Sequence, residues 1–170
     1  VRDDDIPAFL ATDVCQLGIL GQNGLLEKQA LGNGKFAGLR QLLPLGYGKC
    51  RLSIAVPHDF DYQSIESLNG KVIATSYKGL LAQYLADRKI DADIVTMEGA
   101  VEVAPRTHLA DVICDLVSTG STLVSNGLVE KDIILQSQAV LVTNQIDDPE
   151  IAVLAEKVTS RIKAVLRAEN

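Results

Sequence analysis

In the stretch CDLVSTGSTL, Cys114 to Leu123, a carboxylate near the end of an apolar run precedes five residues drawn only from Ser, Thr and Gly. The backbone N–H groups of such a loop suit a phosphate. Ser118, Thr119, Ser121 and Thr122 add hydroxyl donors, and Gly120 allows close approach. Asp115, just upstream, can accept hydrogen bonds from two neighbouring sugar hydroxyls. Acid then phosphate loop is the pattern expected for a ribose 5-phosphate. The plain alternative is an N-cap and turn, in which the hydroxyls serve only the backbone.

That chemistry needs a strand, its C-terminal loop and a following helix, because ligands of open α/β sheets bind at the carboxyl ends of strands. Val112 to Val117 reads as the strand, Ser118 to Thr122 as the loop, and Leu123 onward as a helix closed by Gly127. A βαβ unit precedes it. GKVIATS is a strand ending at Thr75 and Ser76, either of which can cap the helix YKGLLAQYLADRK, whose Leu80, Leu81, Tyr84 and Leu85 share a face. ADIVTM is the partner strand after a right-handed crossover. Between them and the loop, GAVEVAPRTHLA predicts a short helix near Pro105.

Earlier in the chain, IPAFLATD predicts a short helix, DVCQLGIL a buried strand, GQNGLLEKQ a turn with its helix, and CRLSIAVP a clear strand. Alternation from Phe36 to Leu45 is weak. Later, DIILQSQAVLVTN is a long β-like stretch, and Asp148-Pro149 opens a helix striped by Ile151, Leu154, Val158, Ile162, Val165 and Leu166. Boundaries near residues 50 and 138 make one lobe of 1–50 plus 138–170 and a second of 51–137.

Composition sets the class. The 170 residues are 47% hydrophobic but only 4% aromatic, with no Trp, so the core is aliphatic and an α/β fold with mixed, mainly parallel sheets is expected. A formal charge of −6 excludes a general nucleic-acid surface, so any phosphate must be held locally. Cys15, Cys50 and Cys114 show no C-x-x-C spacing and read as buried thiols of a reducing compartment. No apolar run reaches membrane-spanning length and no secretory leader opens the chain, so no membrane partner is expected and the cytoplasm is the default. His58 and His108 are isolated, which argues against a metal cluster. The start VRDDDIP, without Met, implies a segment upstream.

The segments VRDDDIP, LGILGQN, LNGKVIATSY, GAVEVAPRTHLADVICDLVSTGSTLVSNGL and LVTNQ, in order from Val1 to about Gln145, resemble the ATP phosphoribosyltransferase family. That family catalyses the first step of histidine biosynthesis. The block from Gly99 to Leu128 is the most specific, and the order of blocks is most similar to the long-form enzyme. The resemblance implies a two-lobed architecture like type II periplasmic binding proteins, with the active site in the cleft. The second lobe would be complete and the first partial, without the family's N-terminal strand and helix or its C-terminal regulatory domain.

The implied activity is glycosyl transfer from phosphoribosyl diphosphate to N1 of ATP. By resemblance, Ser118, Thr119, Gly120, Ser121, Thr122 and Leu123 hold the 5-phosphate, while Asp115 and Glu102 hold the ribose hydroxyls. Arg2 reaches the pyrophosphate, and Gly18 and Gly21 let backbone approach the substrates. Mg²⁺ enters on the substrate phosphates, and the full-length protein is expected to be a homo-oligomer. The plain alternatives are a helix-start acid for Glu102, an ion pair with Asp3 to Asp5 for Arg2, and a tight turn for the glycines. Ser76 stands where many relatives carry a basic residue. At the level of the whole chain, the alternatives are a non-catalytic ligand-binding module of the same fold and an inactive fragment of the transferase. A porphyrin-precursor deaminase fits less well, because Cys114 has no cofactor-bearing setting.

Overall fold

In the computed structural model, which describes residues 1–32 and 34–168, the regular elements open with α1 (Ile6–Ala11), β1 (Leu17–Gly21), α2 (Gln22–Ala30) and β2 (Arg40–Pro44). There follow β3 (Cys50–Pro57), β4 (Val72–Thr75), α3 (Lys78–Arg88), β5 (Asp93–Thr96), β6 (Val112–Val117), α4 (Ser121–Ser125) and β7 (Leu128–Ser137). The last are β8 (Ala139–Thr143) and α5 (Pro149–Ala168). The chain divides into two compact units, Val1–Lys49 with Ser137–Asn170, and Cys50–Gln136.

The first unit is built on an antiparallel sheet of order β1-β8-β2. Its central strand β8 is buried at every position, which is why AVLVT carries no charge. Val140 and Val142 point to one face, against Leu10 of α1, Leu20 and Leu25. Ala139 and Leu141 point to the other, against Leu45 and the half-buried Ile162 and Leu166 of α5. The strand predicted from Asp13 starts only at Leu17; Asp13 has φ 59° and belongs to a turn.

Gly18 explains how closely α1 packs on β1. A Cβ there would stand 2.5 Å from Ile6 Cγ2 and 3.2 Å from Leu10 Cδ1. Gly18→Ala is expected to cost about 1–3 kcal/mol, since both neighbours are already packed. A lowered urea midpoint at unchanged slope checks it.

Helix α5 starts where Asp148-Pro149 predicts. Asp148 Oδ1 accepts from the N–H of Glu150 at 2.8 Å and of Ile151 at 3.3 Å, capping the first turn. Its apolar stripe is only partly covered: Leu154 is 59% exposed, Val165 57% and Val158 46%. Length is the reason. Twenty residues of helix extend ~30 Å, whereas strands of five residues span only ~17 Å.

The second unit holds a five-stranded sheet of order β5-β4-β6-β3-β7. Parallel pairing joins β4 to β5 and to β6, while β3 runs antiparallel to β6. This sheet is therefore mixed and the first is antiparallel, so the parallel share is smaller than the aliphatic composition alone predicts. The antiparallel pairs of β3 with β6 and of β8 with β1 and β2 join strands far apart in the chain, with other elements between them.

Alternation sorts β3 and β6 cleanly. Leu52, Ile54, Val112 and Cys114 face α3, whose Leu81 and Leu85 complete that core. Ala55, Ile113 and Val117 face the opposite side, with Val101, Ala104 and Leu123. Neither Thr75 nor Ser76 caps α3. The N-cap is Tyr77; Thr75 Oγ1 accepts from the Tyr77 N–H at 2.9 Å, and Ser76 Oγ donates to the Met97 carbonyl at 2.7 Å. The helix expected near Pro105 is reduced to a 3-10 turn, Val101–Val103, because the chain keeps turning past Pro105 to reach β6. Cys114 is buried, but Cys15 and Cys50 are only half-buried, and among the described residues no disulfide joins them.

Candidate functional site

Asp115 sits on β6 between Ile113 and Val117, so period-two alternation aims it at the sheet face covered by Val101 and Ala104 rather than at α3. Its Oδ1 accepts from the N–H of Leu116 at 2.8 Å. Burial pushes the Asp115 carboxyl above the usual range, and the charge of Glu102 adds to the rise, while the Leu116 bond works against it. Glu102, half-buried on the 3-10 turn packed against β6, is thus brought within electrostatic reach of Asp115. Two carboxylates sharing one face form an acceptor pair suited to adjacent hydroxyls.

The loop after β6 is only partly spent on the start of α4, where Thr119 Oγ1 accepts from the Ser121 N–H at 3.4 Å. The N-cap of that helix is Gly120, at φ 85°, which has no side chain to cap with. Thr119 Oγ1 and Ser121 Oγ lie 3.0 Å apart, one hydroxyl donating to the other. Among the described residues, the N–H groups of Thr119 and Gly120 have no acceptor. Leu123 is buried, anchoring α4 in the core. With only five residues, α4 contributes a small dipole, so donor groups of the loop itself dominate any anion contact.

Sequence reasoning missed the groups beneath this loop. Arg51, at the start of β3, donates through Nε and Nη2 to the two carboxylate oxygens of Glu130 on β7, each at 2.5 Å. Its Nη1 donates to the Ser118 carbonyl at 3.1 Å. Ser53 Oγ, fully buried, donates to Glu130 Oε1 at 2.7 Å. The Arg51 bond, with help from Ser53, holds the Glu130 carboxyl below its ordinary range. A cavity of about 620 Å³ lies beside the loop, lined by Arg51, Thr119, Gly120, Ser121 and Glu130 among others; Asp115 does not line it. A charged Arg in a strand otherwise reading CRLSIAVP was the available signal, but its partners are 67 and 79 positions away.

The remaining predicted residues lie in the other unit. Arg2 is exposed before a 3-10 turn over Asp3–Asp5, and among the described residues its guanidinium forms no ion pair. Gly18 and Gly21 are the second and the last residues of β1. A Cβ on Gly21 would meet Asn23 Oδ1 at 2.6 Å, so both glycines have packing reasons for their size. Asp115, Glu102 and the loop are brought together within one unit; Arg2, Gly18 and Gly21 cluster near α1 and β1 in the other.

No group of three or more His, Cys, Asp or Glu among the described residues is placed to hold a metal ion. The donor set fits a cation delivered on a substrate's phosphates, since Mg²⁺ in such sites keeps waters and takes at most one or two carboxylates from protein. No helix among the described residues is long and apolar enough to cross a membrane.

Similarity to known proteins agrees with this geometry. A curated ATP phosphoribosyltransferase from Maricaulis maris is 51% identical over 142 residues, which make up 84% of this chain and 48% of the relative. The chain therefore spans about half the length of that relative. Among solved structures, the ATP phosphoribosyl transferase (HisG:HisZ) complex from Thermotoga maritima matches with a TM-score of 0.81 at 26% identity, covering 99% of this chain and 78% of that one. The periplasmic aliphatic sulphonate binding protein SsuA from Escherichia coli matches at 0.63 and 15% identity, over 99% and 62% of the two chains. That likeness is one of fold and bears out the expected class. The family model described as HisG: ATP phosphoribosyltransferase matches residues 2–164, and with nearly the whole chain inside that match, this protein belongs to the ATP phosphoribosyltransferase family.

Proposed function

We propose that this chain is the catalytic-core portion of an enzyme that transfers the phosphoribosyl group of phosphoribosyl diphosphate to N1 of ATP, giving phosphoribosyl-ATP and pyrophosphate in histidine biosynthesis. The observation that carries the reading is the pairing of Asp115 with the donor loop after β6. That loop's Thr119 and Gly120 N–H groups have no protein acceptor, and the pairing lies inside the matched family region. The loop holds the 5-phosphate through backbone N–H groups and the hydroxyls of Ser118, Thr119, Ser121 and Thr122. Asp115 and Glu102 accept from the ribose hydroxyls.

With both ends of the sugar held, C1 is left facing the nucleophile. The bond from C1 to the diphosphate oxygen breaks, its electron pair leaving on pyrophosphate, and the lone pair of adenine N1 forms the new bond to C1. Positioning is the larger contribution of the protein to such a step. Mg²⁺, if it entered on the diphosphate, would supply charge neutralisation there. Arg2 belongs to the same reading as a multidentate donor to pyrophosphate, and Gly18 and Gly21 as places where backbone approaches substrate.

Residues 1–50 with 138–170 are, in this reading, part of the first catalytic lobe, and residues 51–137 the second. The relative solved as a HisG:HisZ complex supports assembly with further subunits, and we assign the full-length protein a homo-oligomeric state. The cytoplasm is the compartment we assign it.

Titration with phosphoribosyl diphosphate and Mg²⁺, followed by ATP, tests the reading by heat and product absorbance together. Binding followed by turnover is expected of the intact enzyme. Absence of phosphoribosyl diphosphate binding would remove the phosphate loop and with it the proposed reaction.

A further inference from the structure

Arg51 has no sugar or phosphate role in the reading above, yet three of its N–H groups are committed in two directions. Two meet the carboxylate of Glu130, and the third meets the Ser118 carbonyl at 3.1 Å. Glu130 is itself held by the buried Ser53 hydroxyl at 2.7 Å, so the guanidinium cannot swing without breaking a three-membered network. All three residues arise from strands of one sheet, β3 and β7, and Ser53 lies directly opposite Asp115 in the β3–β6 register. The network is thus built into the same rigid surface that positions the ribose acceptor.

A trans peptide points its carbonyl and the next N–H in opposite directions, and among the described residues no peptide is cis. Holding the Ser118 carbonyl on Arg51 therefore turns the Thr119 N–H away from Arg51. That N–H has no acceptor among the described residues. Gly120 follows at φ 85°, so the next peptide is also held in a conformation that needs outside support.

We propose that Arg51 is a positioning residue of the phosphate loop: by clamping the Ser118 carbonyl against Glu130 it presents the Thr119 N–H to the ligand's 5-phosphate. The inference rests on the phosphate-loop reading above. The planar fork of arginine is required, because a lysine ammonium concentrates its donors at one point and cannot span a carboxylate and a carbonyl together.

The test compares the intact protein with Arg51→Met and Arg51→Lys by calorimetric titration, using phosphoribosyl diphosphate with Mg²⁺ and, separately, ATP. Both variants are expected to bind phosphoribosyl diphosphate about tenfold more weakly, the loss of one well-aligned charge-assisted contact. ATP affinity should stay within about twofold on the same scale. In turnover, KM for phosphoribosyl diphosphate rises while kcat changes little, a split that general loosening of the fold would not produce. Arg51→Lys serves where Arg51→Met fails to fold.

Parental affinity in Arg51→Lys overturns the clamp, since charge alone would then suffice. Equal loss for both ligands, with a lowered Tm, also overturns it in favour of a purely structural role. If the parent binds phosphoribosyl diphosphate and both variants bind it equally well, this inference falls and the phosphate loop stands. A parent that does not bind phosphoribosyl diphosphate sinks both.

Discussion

Asp115→Asn protein is expected to be more stable than the parent at neutral pH and to bind phosphoribosyl diphosphate about ten- to hundredfold more weakly, the value of hydrogen bonds to a charged group. The stability half follows from linkage. Burial raises the folded-state pKa of Asp115 above its unfolded value. Between those two values the native state binds more protons than the unfolded chain, so stability falls as pH rises through that window and stays lower at neutral pH. Removing the charge removes that fall. The fold survives, because Asn keeps an oxygen for the Leu116 N–H now bonded at 2.8 Å.

The affinity half has the same origin. A carboxylate poor in water is stabilised when two sugar hydroxyls donate to it, which a neutral amide does less well. Stability that rises as binding falls is the signature of a group kept for function rather than for folding. Thermal unfolding across pH 4 to 8 and calorimetry on the same preparations check both halves. A variant no more stable than the parent, or one that binds phosphoribosyl diphosphate equally well, contradicts the assignment of Asp115.

Gly120 provides the second large effect. At φ 85° and ψ −1° it occupies backbone space that side-chain-bearing residues rarely adopt, β-branched ones least of all. Crowding is not the issue, since a Cβ there would meet only Val117 Cγ1 at 3.9 Å. Any loss in a Gly120 variant therefore reports backbone strain, about 1–3 kcal/mol if the loop keeps its shape. If the loop relaxes instead, the free N–H groups turn away from the phosphate, and affinity for phosphoribosyl diphosphate is expected to drop at least about tenfold for Gly120→Val. Asn tolerates a left-handed backbone better than Ala or Val, so the losses should rank Asn, Ala, Val from smallest to largest. Equal binding by all three would mean that the loop's backbone does not hold the phosphate.

The parts of the fold visible in the sequence are those whose signal is local. In GKVIATSYKGLLAQYLADRK, the change from a compact apolar run to helical spacing marks β4 and α3 within a residue or two. VICDLV followed by STGST marks β6 and its loop, because an acid and a hydroxyl cluster interrupt an apolar strand. Asp148-Pro149 marks the start of α5, because capping chemistry is written in adjacent residues. By contrast, β2 was poorly legible: RQLLP is mostly exposed, and only its pairing with β8 makes it a strand. The expected N-caps at Thr75 and Ser76 failed because both hydroxyls had closer partners, one of them 21 residues on at Met97.

The sequence by itself determined the family, the acid-then-donor-loop pattern at Asp115 and Ser118 to Thr122, and the aliphatic α/β character, since each depends on residue type and short spacing. Only the tertiary structure decided that Glu102 would share a sheet face with Asp115, and that Arg51, Ser53 and Glu130 would meet beneath the loop. Strand order and register set the meeting of Arg51, Ser53 and Glu130 with Ser118, whose bonds join residues 67 to 79 positions apart along the chain, while the 3-10 turn packed on β6 brings Glu102 to Asp115. Such contacts are fixed by which strands lie side by side, a property of the whole sheet that no local stretch encodes.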